Sequence, residues 1–271
     1  MRIGIIALGL IGGSLLKALS QNKELEITAV SQNESTLNKA KKYAKRVSAK
    51  LEDLKDSELV FVCTPINNTL ETLDKLEDIA GENCIVTDVS SVKTFVMKKK
   101  RPYKFIGSHP MAGTEFSGFD SSFKELFKGA KWVITPFEDS KETDINKLEG
   151  IITSTGAKTI ITKAEEHDKA VALISHMPML VSQALYKSAT RNSLAMKLAS
   201  SGFRDMTRLA MSNPTMANDM LTFNKEAVDE ALESLDESLK LLDSNKYFEM
   251  ISEIKSSREK MYSKEGKNLI L

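Results

Sequence analysis

The sequence predicts an α/β protein in which a mostly parallel sheet with helices on both faces precedes an all-α domain. Three observations lead to this prediction. Short β-rich runs alternate with helical patterns over the first 160 residues, a glycine-containing turn joins the first strand to the first helix, and no strand pattern follows residue 163. Such alternation is typical of parallel β-α-β units. We therefore expect two domains, residues 1–162 and residues 163–271.

Six apolar runs predict the strands of the first domain. The first, RIGIIAL, is nearly continuous in apolar residues, as strands buried on both faces of a parallel sheet are. The others are EITAVSQ, ELVFVCTP, NCIVTDVS, KFIGSHP and KWVITP. Helical patterns lie between the first four runs, in LIGGSLLKALSQN, ESTLNKAKKYAKR and NNTLETLDKLEDI.

Apolar residues at helical spacing predict the second domain. One helix face carries Ala170, Leu173, Ile174, Met177, Val181, Ala184 and Leu185. A second series steps by four and three residues and forms an apolar seam of Val228, Leu232, Leu235, Leu239 and Leu242. Packing within the subunit and contact with a second subunit are both open explanations of the seam. We expect a homodimer through the helical domain.

Composition excludes several classes of partner. The chain has 38 basic and 37 acidic side chains, a net charge of +1, so no field of one sign attracts nucleic acid or an anionic membrane. Cys63 and Cys84 each lie in an apolar run, which suits small core residues in a reducing compartment. The run IGIIALGLIGG is too short and too glycine-rich to span a bilayer and lacks the features of a signal peptide. We expect a cytoplasmic protein that binds a small molecule and has no metal site.

The turn after the first strand is typical of dinucleotide binding in a Rossmann-type domain. The pattern is G-x-G-x-x-G between a strand and a helix. Here its positions are Ala7, Leu8, Gly9, Leu10, Ile11 and Gly12. Gly9 allows the backbone to approach a pyrophosphate, and Gly12 allows close helix–strand packing. Ala7 departs from the pattern, and its methyl group costs roughly 1 kcal/mol if the position needs a positive φ.

The ends of the next strands indicate which dinucleotide binds. The second strand ends at Ser31, followed by Gln32 and Asn33, which can hydrogen-bond a ribose hydroxyl. No arginine stands immediately beside Ser31 to bind a 2′-phosphate. We therefore expect NAD, while NADP stays open. Thr64 and Pro65, at the end of the third predicted strand, are expected to contact the same cofactor.

Five motifs occur in an order that resembles the prephenate dehydrogenases. They are GLIGGSL, TDVSSVK, GSHPMAGTE, ISHMP and GFRDMTRLA, and the resemblance extends from about residue 3 to residue 220. It implies an NAD(P)-dependent oxidoreductase of tyrosine biosynthesis that acts on prephenate or arogenate. In that reaction hydride passes from ring C4 to the nicotinamide, the C4 hydroxyl loses its proton, and CO2 leaves as the ring becomes aromatic.

The resemblance makes His109 the catalytic base toward the C4 hydroxyl. His109 ends an apolar run, and a neutral imidazole accepts a proton near pH 7. Ser91 is implied to orient this histidine and to contact the same hydroxyl. The alternatives are a loop histidine that caps backbone groups and a serine that caps a helix beginning near Val92.

The resemblance assigns substrate carboxylates to two arginines. Arg204 and Arg208 are spaced i, i+4, so they share a face of a helix. A guanidinium group binds a carboxylate bidentately. Arg208 is implied as the main anchor and Arg204 as a supporting one, from the same or the partner subunit, while Asp205 is a candidate to orient either. A solvated face with weak ion pairs is the alternative.

Further pocket residues are implied in two motifs. Thr114 and Glu115 follow His109 closely and are expected at the pocket mouth. Ser175 and His176 precede Pro178 in a helical pattern, where a bend makes them a plausible pocket wall.

Two other positions depart from the family pattern. Met179 stands where the family often has a second histidine, and Ala217 stands where members can carry a tryptophan. We expect His167, in AEEHDK, to be an exposed or capping residue.

Two other functions remain open. A β-hydroxyacid-type dehydrogenase would use a lysine in the helical domain, where this chain has SHMP. A non-catalytic dinucleotide sensor would keep the glycine turn without needing His109 together with Arg208.

Overall fold

The computed structural model describes residues 1–114, 116–242 and 246–263, and its N-terminal part contains a six-stranded parallel sheet. The strands are β1 (Arg2–Ile6), β2 (Glu26–Val30), β3 (Arg46–Ser48), β4 (Leu59–Val62), β5 (Ile85–Asp88) and β6 (Lys104–Phe105). Their order across the sheet is β3-β2-β1-β4-β5-β6. The direction of winding reverses between β1 and β4, which opens a crevice at the carboxyl ends of these strands.

Helices pack against both faces of this sheet. They are α1 (Leu10–Leu19), α2 (Glu34–Ala40), α3 (Ile66–Lys75) and α4 (Glu142–Ser154). Alternate residues of β1 enter two separate hydrophobic clusters, Ile3 and Ile5 with residues of α1, α2 and α4, and Ile6 with residues of α3. This double burial explains why the strand sequences are apolar without alternation.

A second, three-stranded sheet follows the first. It consists of β7 (Gly107–Pro110), β8 (Lys131–Thr135) and β9 (Lys158–Ile161). The run KFIGSHP was expected to form one strand, but Ile106 separates it into β6 and β7. The N–H of Ser108 donates to the Asp88 carboxylate at 3.2 Å, and β7 pairs antiparallel with β8. His109 therefore lies beyond the parallel sheet, in the second sheet.

Several elements differ from the sequence pattern. Helix α2 ends at Ala40, short of the helical run expected to continue to Arg46, and β3 begins there instead. Strands β3 and β9 and helix α4 were not predicted. Strand β3 has three residues, and Ile160 and Ile161 of β9 are exposed, so neither strand carries the continuous apolar pattern of a buried one.

The rest of the described chain is helical. Its α-helices are α5 (Ala164–Val171), α6 (Met177–Ala189), α7 (Ser193–Lys197), α8 (Ser201–Met206), α9 (Pro214–Phe223), α10 (Lys225–Leu242) and α11 (Tyr247–Tyr262). A π-helical turn over Ala172–His176 joins α5 to α6, and a 3-10 turn over Arg208–Met211 precedes α9. Each described helix is too short or too polar to traverse a lipid bilayer.

The apolar faces of this helical part are largely uncovered in the single chain. On the face predicted from residue 170 to residue 185, Leu173 and Ile174 are 46% and 68% exposed. In the seam of α10, Val228 is buried against Ala172, whereas Leu239 is 56% exposed. Packing within the subunit therefore explains only the first part of the seam.

Candidate active site

The turn between β1 and α1 has the backbone conformation of a phosphate-binding turn. Ala7 has a φ of 67°, and it is the one non-glycine residue with a positive φ in the described part of the chain. Its N–H donates to the carbonyl of Val30 at 2.9 Å, which helps to hold this conformation. The methyl group costs roughly 1 kcal/mol relative to glycine, so the alanine preserves the turn at a modest cost.

Gly12 and Gly9 each make room, in different ways. A Cβ at Gly12 would lie 2.1 Å from the carbonyl oxygen of Ala7, so the close approach of α1 to the turn requires glycine. A Cβ at Gly9 would meet no atom within 4 Å. Gly9 is the N-cap of α1 and has no side chain to satisfy the first N–H groups of the helix. These donors and the open space beside Gly9 fit a phosphate group.

The other predicted cofactor residues lie along the same edge of the sheet. Ser31 follows β2, and Thr64 and Pro65 follow β4, the two strands that flank β1. Ser31 Oγ accepts the N–H of Asn33 at 3.2 Å, which leaves its hydroxyl hydrogen for another partner. The structure thus brings these residues to the edge where the turn residues Leu8, Leu10 and Ile11 lie.

His109 contacts a second histidine that the sequence did not suggest. Its Nδ1 lies 2.9 Å from Nε2 of His167, and Nδ1 of His167 lies 2.7 Å from Oδ1 of Asp168. The expectation that His167 is exposed or capping is wrong, because its exposed fraction is 2%. Helix α5 turns this residue inward toward β7, and the neighbouring acid supplies the hydrogen bond that a buried imidazole requires.

Asp168 also fixes the loop that follows β5. Its carboxylate accepts the N–H of Lys93 at 2.7 Å, the N–H of Thr94 at 2.8 Å and the Thr94 hydroxyl. Burial alone would raise the pKa of Asp168, but hydrogen bonds from His167 and Thr94 outweigh it and hold the pKa below its ordinary value. The group is therefore a carboxylate that ties the helical part to the sheet part.

The environment of His109 keeps its ring neutral. Burial is the largest cause that lowers its pKa well below the ordinary value, followed by the nearby His167, Lys93 and His176. A neutral imidazole has one unprotonated nitrogen, so this residue can accept a proton.

A buried ion pair contacts the residue that precedes His109 in β7. Lys93 Nζ pairs with the Asp88 carboxylate and donates to the Ser108 carbonyl at 2.6 Å. Both charged side chains are fully buried. Burial lowers the pKa of Lys93, although the charge of Asp88 opposes this shift. The pair therefore holds the end of β5 beside β7, the strand that contains His109.

Ser91 makes neither the expected contact with His109 nor the alternative helix cap. Its Oγ is buried and has no hydrogen-bond partner in the described chain, so it neither binds His109 nor caps a helix. The segment after it forms a turn in which the N–H of Val96 donates to Lys93 O, rather than a regular helix. An unsatisfied buried hydroxyl is costly and is unusual unless a ligand completes it.

His176 presents a second unsatisfied group. It ends the π-helical turn, two residues before Pro178, and turns of this kind often occur at functional sites. The ring is fully buried, and burial lowers its pKa to about 4. Its Nδ1 lies 3.2 Å from Asn224 Nδ2, while its Nε2 has no partner in the described chain. Ser175 beside it is partly exposed.

Arg204 and Arg208 line one cavity, although they do not share a helix. Helix α8 ends at Met206, and Arg208 lies in the following 3-10 turn, so the predicted continuous helix face is wrong. The cavity has a volume of about 590 Å³ and is lined by Tyr186, Arg204, Asp205, Thr207, Arg208, Ala210 and Met211. His109 is not among these residues. Asp205 Oδ1 lies 3.6 Å from Arg204 Nε.

The predicted pocket mouth is only partly described. Thr114 is exposed, and its Oγ1 accepts the N–H of Phe116 at 3.3 Å. Glu115 lies outside the described residues.

Comparison with known proteins identifies the family. A model described as "Prephenate dehydrogenase, nucleotide-binding domain" matches residues 15–161, and one described as "Prephenate dehydrogenase, dimerization domain" matches residues 163–255. This chain belongs to the prephenate dehydrogenase family. It is 31% identical to the prephenate dehydrogenase of Bacillus subtilis over 88% of this chain and 67% of that protein. It is 33% identical to the enzyme of Lactococcus lactis over 88% of this chain and 69% of that protein.

Two solved prephenate dehydrogenase family structures have the same fold. The arogenate dehydrogenase of Synechocystis is 34% identical with a TM-score of 0.86, over 96% of this chain and 99% of that one. The prephenate dehydrogenase of A. aeolicus, solved with hydroxyphenyl propionate and NAD+, is 27% identical with a TM-score of 0.86, over 96% of this chain and 98% of that one.

The departures of this chain from the family pattern are both buried. Met179 is packed in α6 close to His176 in sequence, and Ala217 is packed in α9. Neither side chain has a polar group, so His176 is the one imidazole of the ISHMP segment. The residues of the His109 environment that sequence reasoning missed are His167 and Asp168, whose one available indication was a histidine beside an acid at the start of the helical part.

Proposed function

We propose that this chain is a prephenate dehydrogenase that oxidises prephenate with NAD to 4-hydroxyphenylpyruvate, CO2 and NADH. No metal takes part in the proposed reaction. The observation that carries the proposal is the hydrogen bond of His109, on β7, to His167, in surroundings where burial holds the pKa of His109 well below its ordinary value. A base at this position suits removal of a hydroxyl proton during oxidation.

The residues of the sheet edge fit a dinucleotide. The N–H groups that begin α1 and the open space at Gly9 would hold the pyrophosphate, and Ser31 would bind a ribose hydroxyl. Leu8, Leu10, Ile11, Gly12, Thr64 and Pro65 would complete the contacts. When bound, NAD supplies the acceptor for the hydride that leaves ring C4.

Proton removal and carboxylate binding fall to different groups. His109 would accept the proton of the C4 hydroxyl, and the unsatisfied Ser91 Oγ would contact the same hydroxyl. The buried Nε2 of His176 would contact the substrate or the cofactor. Arg208, supported by Arg204, would bind a substrate carboxylate as a guanidinium fork. Ser175, Thr114 and Glu115 are proposed to line the pocket.

The proposed assembly is a homodimer through the helical part. The family model for this part is named for dimerization, and Leu173, Ile174 and Leu239 leave apolar surface uncovered in the single chain. We propose residues 1–162 as the cofactor domain and residues 163–271 as the substrate and dimerisation domain. Cys63 and Cys84 are unpaired, which suits the reducing cytoplasm.

Arogenate is the second candidate substrate. The Synechocystis structure, an arogenate dehydrogenase, is 34% identical over 96% of this chain. Arogenate differs from prephenate at the side chain, which carries an amino group in place of the keto group, and the ring chemistry is unchanged.

The deciding experiment measures NADH or NADPH formation with each substrate and each cofactor, with product analysis by chromatography. Turnover of prephenate with NAD to 4-hydroxyphenylpyruvate is expected. Turnover of arogenate alone would correct the substrate, whereas no turnover of either would overturn the proposal. His109→Asn should abolish turnover while NAD binding, followed by calorimetry, persists. In a non-catalytic sensor the same substitution would have no effect.

A further inference from the structure

His109, His167 and Asp168 form a continuous hydrogen-bonded chain from the second sheet into α5. The two links measure 2.9 Å and 2.7 Å. The imidazole rings are steeply inclined, with an interplanar angle of 78° and centroids 5.1 Å apart, so the rings meet through their nitrogens rather than by stacking.

The direction of each hydrogen bond follows from the Asp168 end. A carboxylate only accepts, so Nδ1 of His167 carries a hydrogen. In a neutral His167 the other nitrogen, Nε2, then accepts, and Nδ1 of His109 must donate to it. Nε2 of a neutral His109 is therefore the nitrogen that keeps a lone pair.

We propose that His167 and Asp168 are positioning residues that hold His109 in the tautomer with an unprotonated Nε2, an inference that rests on the proposed function of His109 as the base. The proton of the substrate hydroxyl moves to Nε2, the O–H bond breaks, and its electron pair stays on the oxygen. The ring then becomes an imidazolium whose Nδ1–H still donates to His167, which still donates to Asp168. No second proton needs to move, because every donor already faces an acceptor.

The same carboxylate couples this tautomer to the position of Ser91. Asp168 accepts the N–H groups of Lys93 and Thr94, which follow Ser91 in the chain. A displacement of α5 would therefore disturb the base and the serine loop together.

The wild-type protein allows a direct test, because the chain has only three histidines. Labelling with 15N-histidine and measuring ring nitrogen shifts at neutral pH reports each tautomer, and His109→Asn assigns the signals of that ring. We expect His109 and His167 to carry hydrogen on Nδ1 and His176 to carry it on Nε2. A hydrogen on Nε2 of His109 in the wild type would overturn the proposal.

Variants of His167 separate positioning from packing. A glutamine can accept from His109 and donate to Asp168, whereas a leucine fills space without either bond. We expect kcat to fall about 100-fold in His167→Leu and about 10-fold or less in His167→Gln, with little change in NAD binding. Tyr103→Phe, which removes a buried hydrogen bond of 2.7 Å to Leu73 O, is the control and should leave kcat unchanged.

The possible results keep the two proposals apart. Equal kcat in the leucine and glutamine variants would overturn the positioning role even if prephenate is oxidised. The expected tautomers in a protein that turns over neither prephenate nor arogenate would support the hydrogen-bonded arrangement of His109, His167 and Asp168 and overturn the proposed function.

Discussion

The side-chain nitrogen of Asn224 lies 3.2 Å from Nδ1 of His176. The same nitrogen donates to the carbonyl of Asp168 at 2.9 Å, so it is an amide donor and Nδ1 of His176 accepts. The hydrogen of this neutral ring therefore lies on Nε2, which is buried and has no partner in the described chain. Nε2 of His176 is therefore a buried N–H donor that is available to a ligand.

The first prediction concerns this donor. His176→Ala should raise KM about 10-fold to 100-fold for the ligand that Nε2 contacts, since a hydrogen bond to a charged group is worth about 1.5–3 kcal/mol. Steady-state kinetics that vary prephenate and NAD separately identify the ligand. Ser182→Ala, a buried polar change in the same helical segment, is the control. Unchanged KM values for both ligands would remove His176 from the site.

Arg208 is predicted to govern substrate affinity alone. Arg208→Ala should raise KM for prephenate about 100-fold and leave KM for NAD within about 2-fold, because the guanidinium is assigned to a carboxylate. Arg208→Lys should recover only part of the loss, since lysine lacks the planar fork. Arg191→Ala, at an exposed arginine after α6, is the matched control. Equal effects on both KM values would contradict the assignment.

The buried histidines predict a loss of stability in acid. The pKa of His176 is about 4 in the folded chain against 6.5 for an ordinary histidine, so the unfolded chain binds more protons between these values. The contribution is fully present above about pH 6.5 and is lost as pH falls toward 4, by about 3 kcal/mol at most. Urea unfolding of the wild type and of His176→Gln across this range checks it, and the variant should show the shallower slope. Parallel slopes would contradict the burial of a neutral ring.

Glycine substitutions should separate cofactor binding from folding. Gly9→Ala adds a methyl group with no atom within 4 Å, so the fold should persist while NAD binding weakens about 10-fold or more. Gly12→Ala places its Cβ 2.1 Å from a backbone oxygen, so it should lower the free energy of unfolding by about 1–3 kcal/mol. Calorimetry with NAD and thermal melting measure the two effects. If Gly9→Ala still binds NAD tightly, the pyrophosphate does not bind beside Gly9.

The parts of the fold that sequence reasoning predicts are those buried on two sides. Strands β1, β2, β4 and β5 each place residues in both hydrophobic clusters, so their sequences are largely apolar. Strand β9 pairs along one side with β8 and exposes its isoleucines, so its pattern is not distinctive. The division of KFIGSHP at Ile106 depends on where β5 ends. Tertiary packing sets that position, so the local sequence does not reveal it.

In the candidate site, too, local features are predictable from the sequence and long-range contacts are not. The backbone conformation of the glycine turn is local, so the positive φ of Ala7 could be anticipated from its motif position. The link from His109 to His167 joins residues 58 positions apart, and no local pattern specifies it. The inward direction of His167 depends on the packing of α5 against the second sheet, which the local sequence does not specify.

The final prediction concerns the uncovered apolar surfaces of the helical part. Ile174→Glu and Leu239→Glu each bury a charge if the surface around that residue lies in the dimer interface, so each should weaken association by about 100-fold or more, about 3 kcal/mol. Sedimentation should show a dimer for the wild type and monomers for the variants at low micromolar concentration. Ile161→Glu is the control, because Ile161 is 51% exposed but lies on β9, outside the helical part. Dimers that survive both helical substitutions would move the interface to another surface.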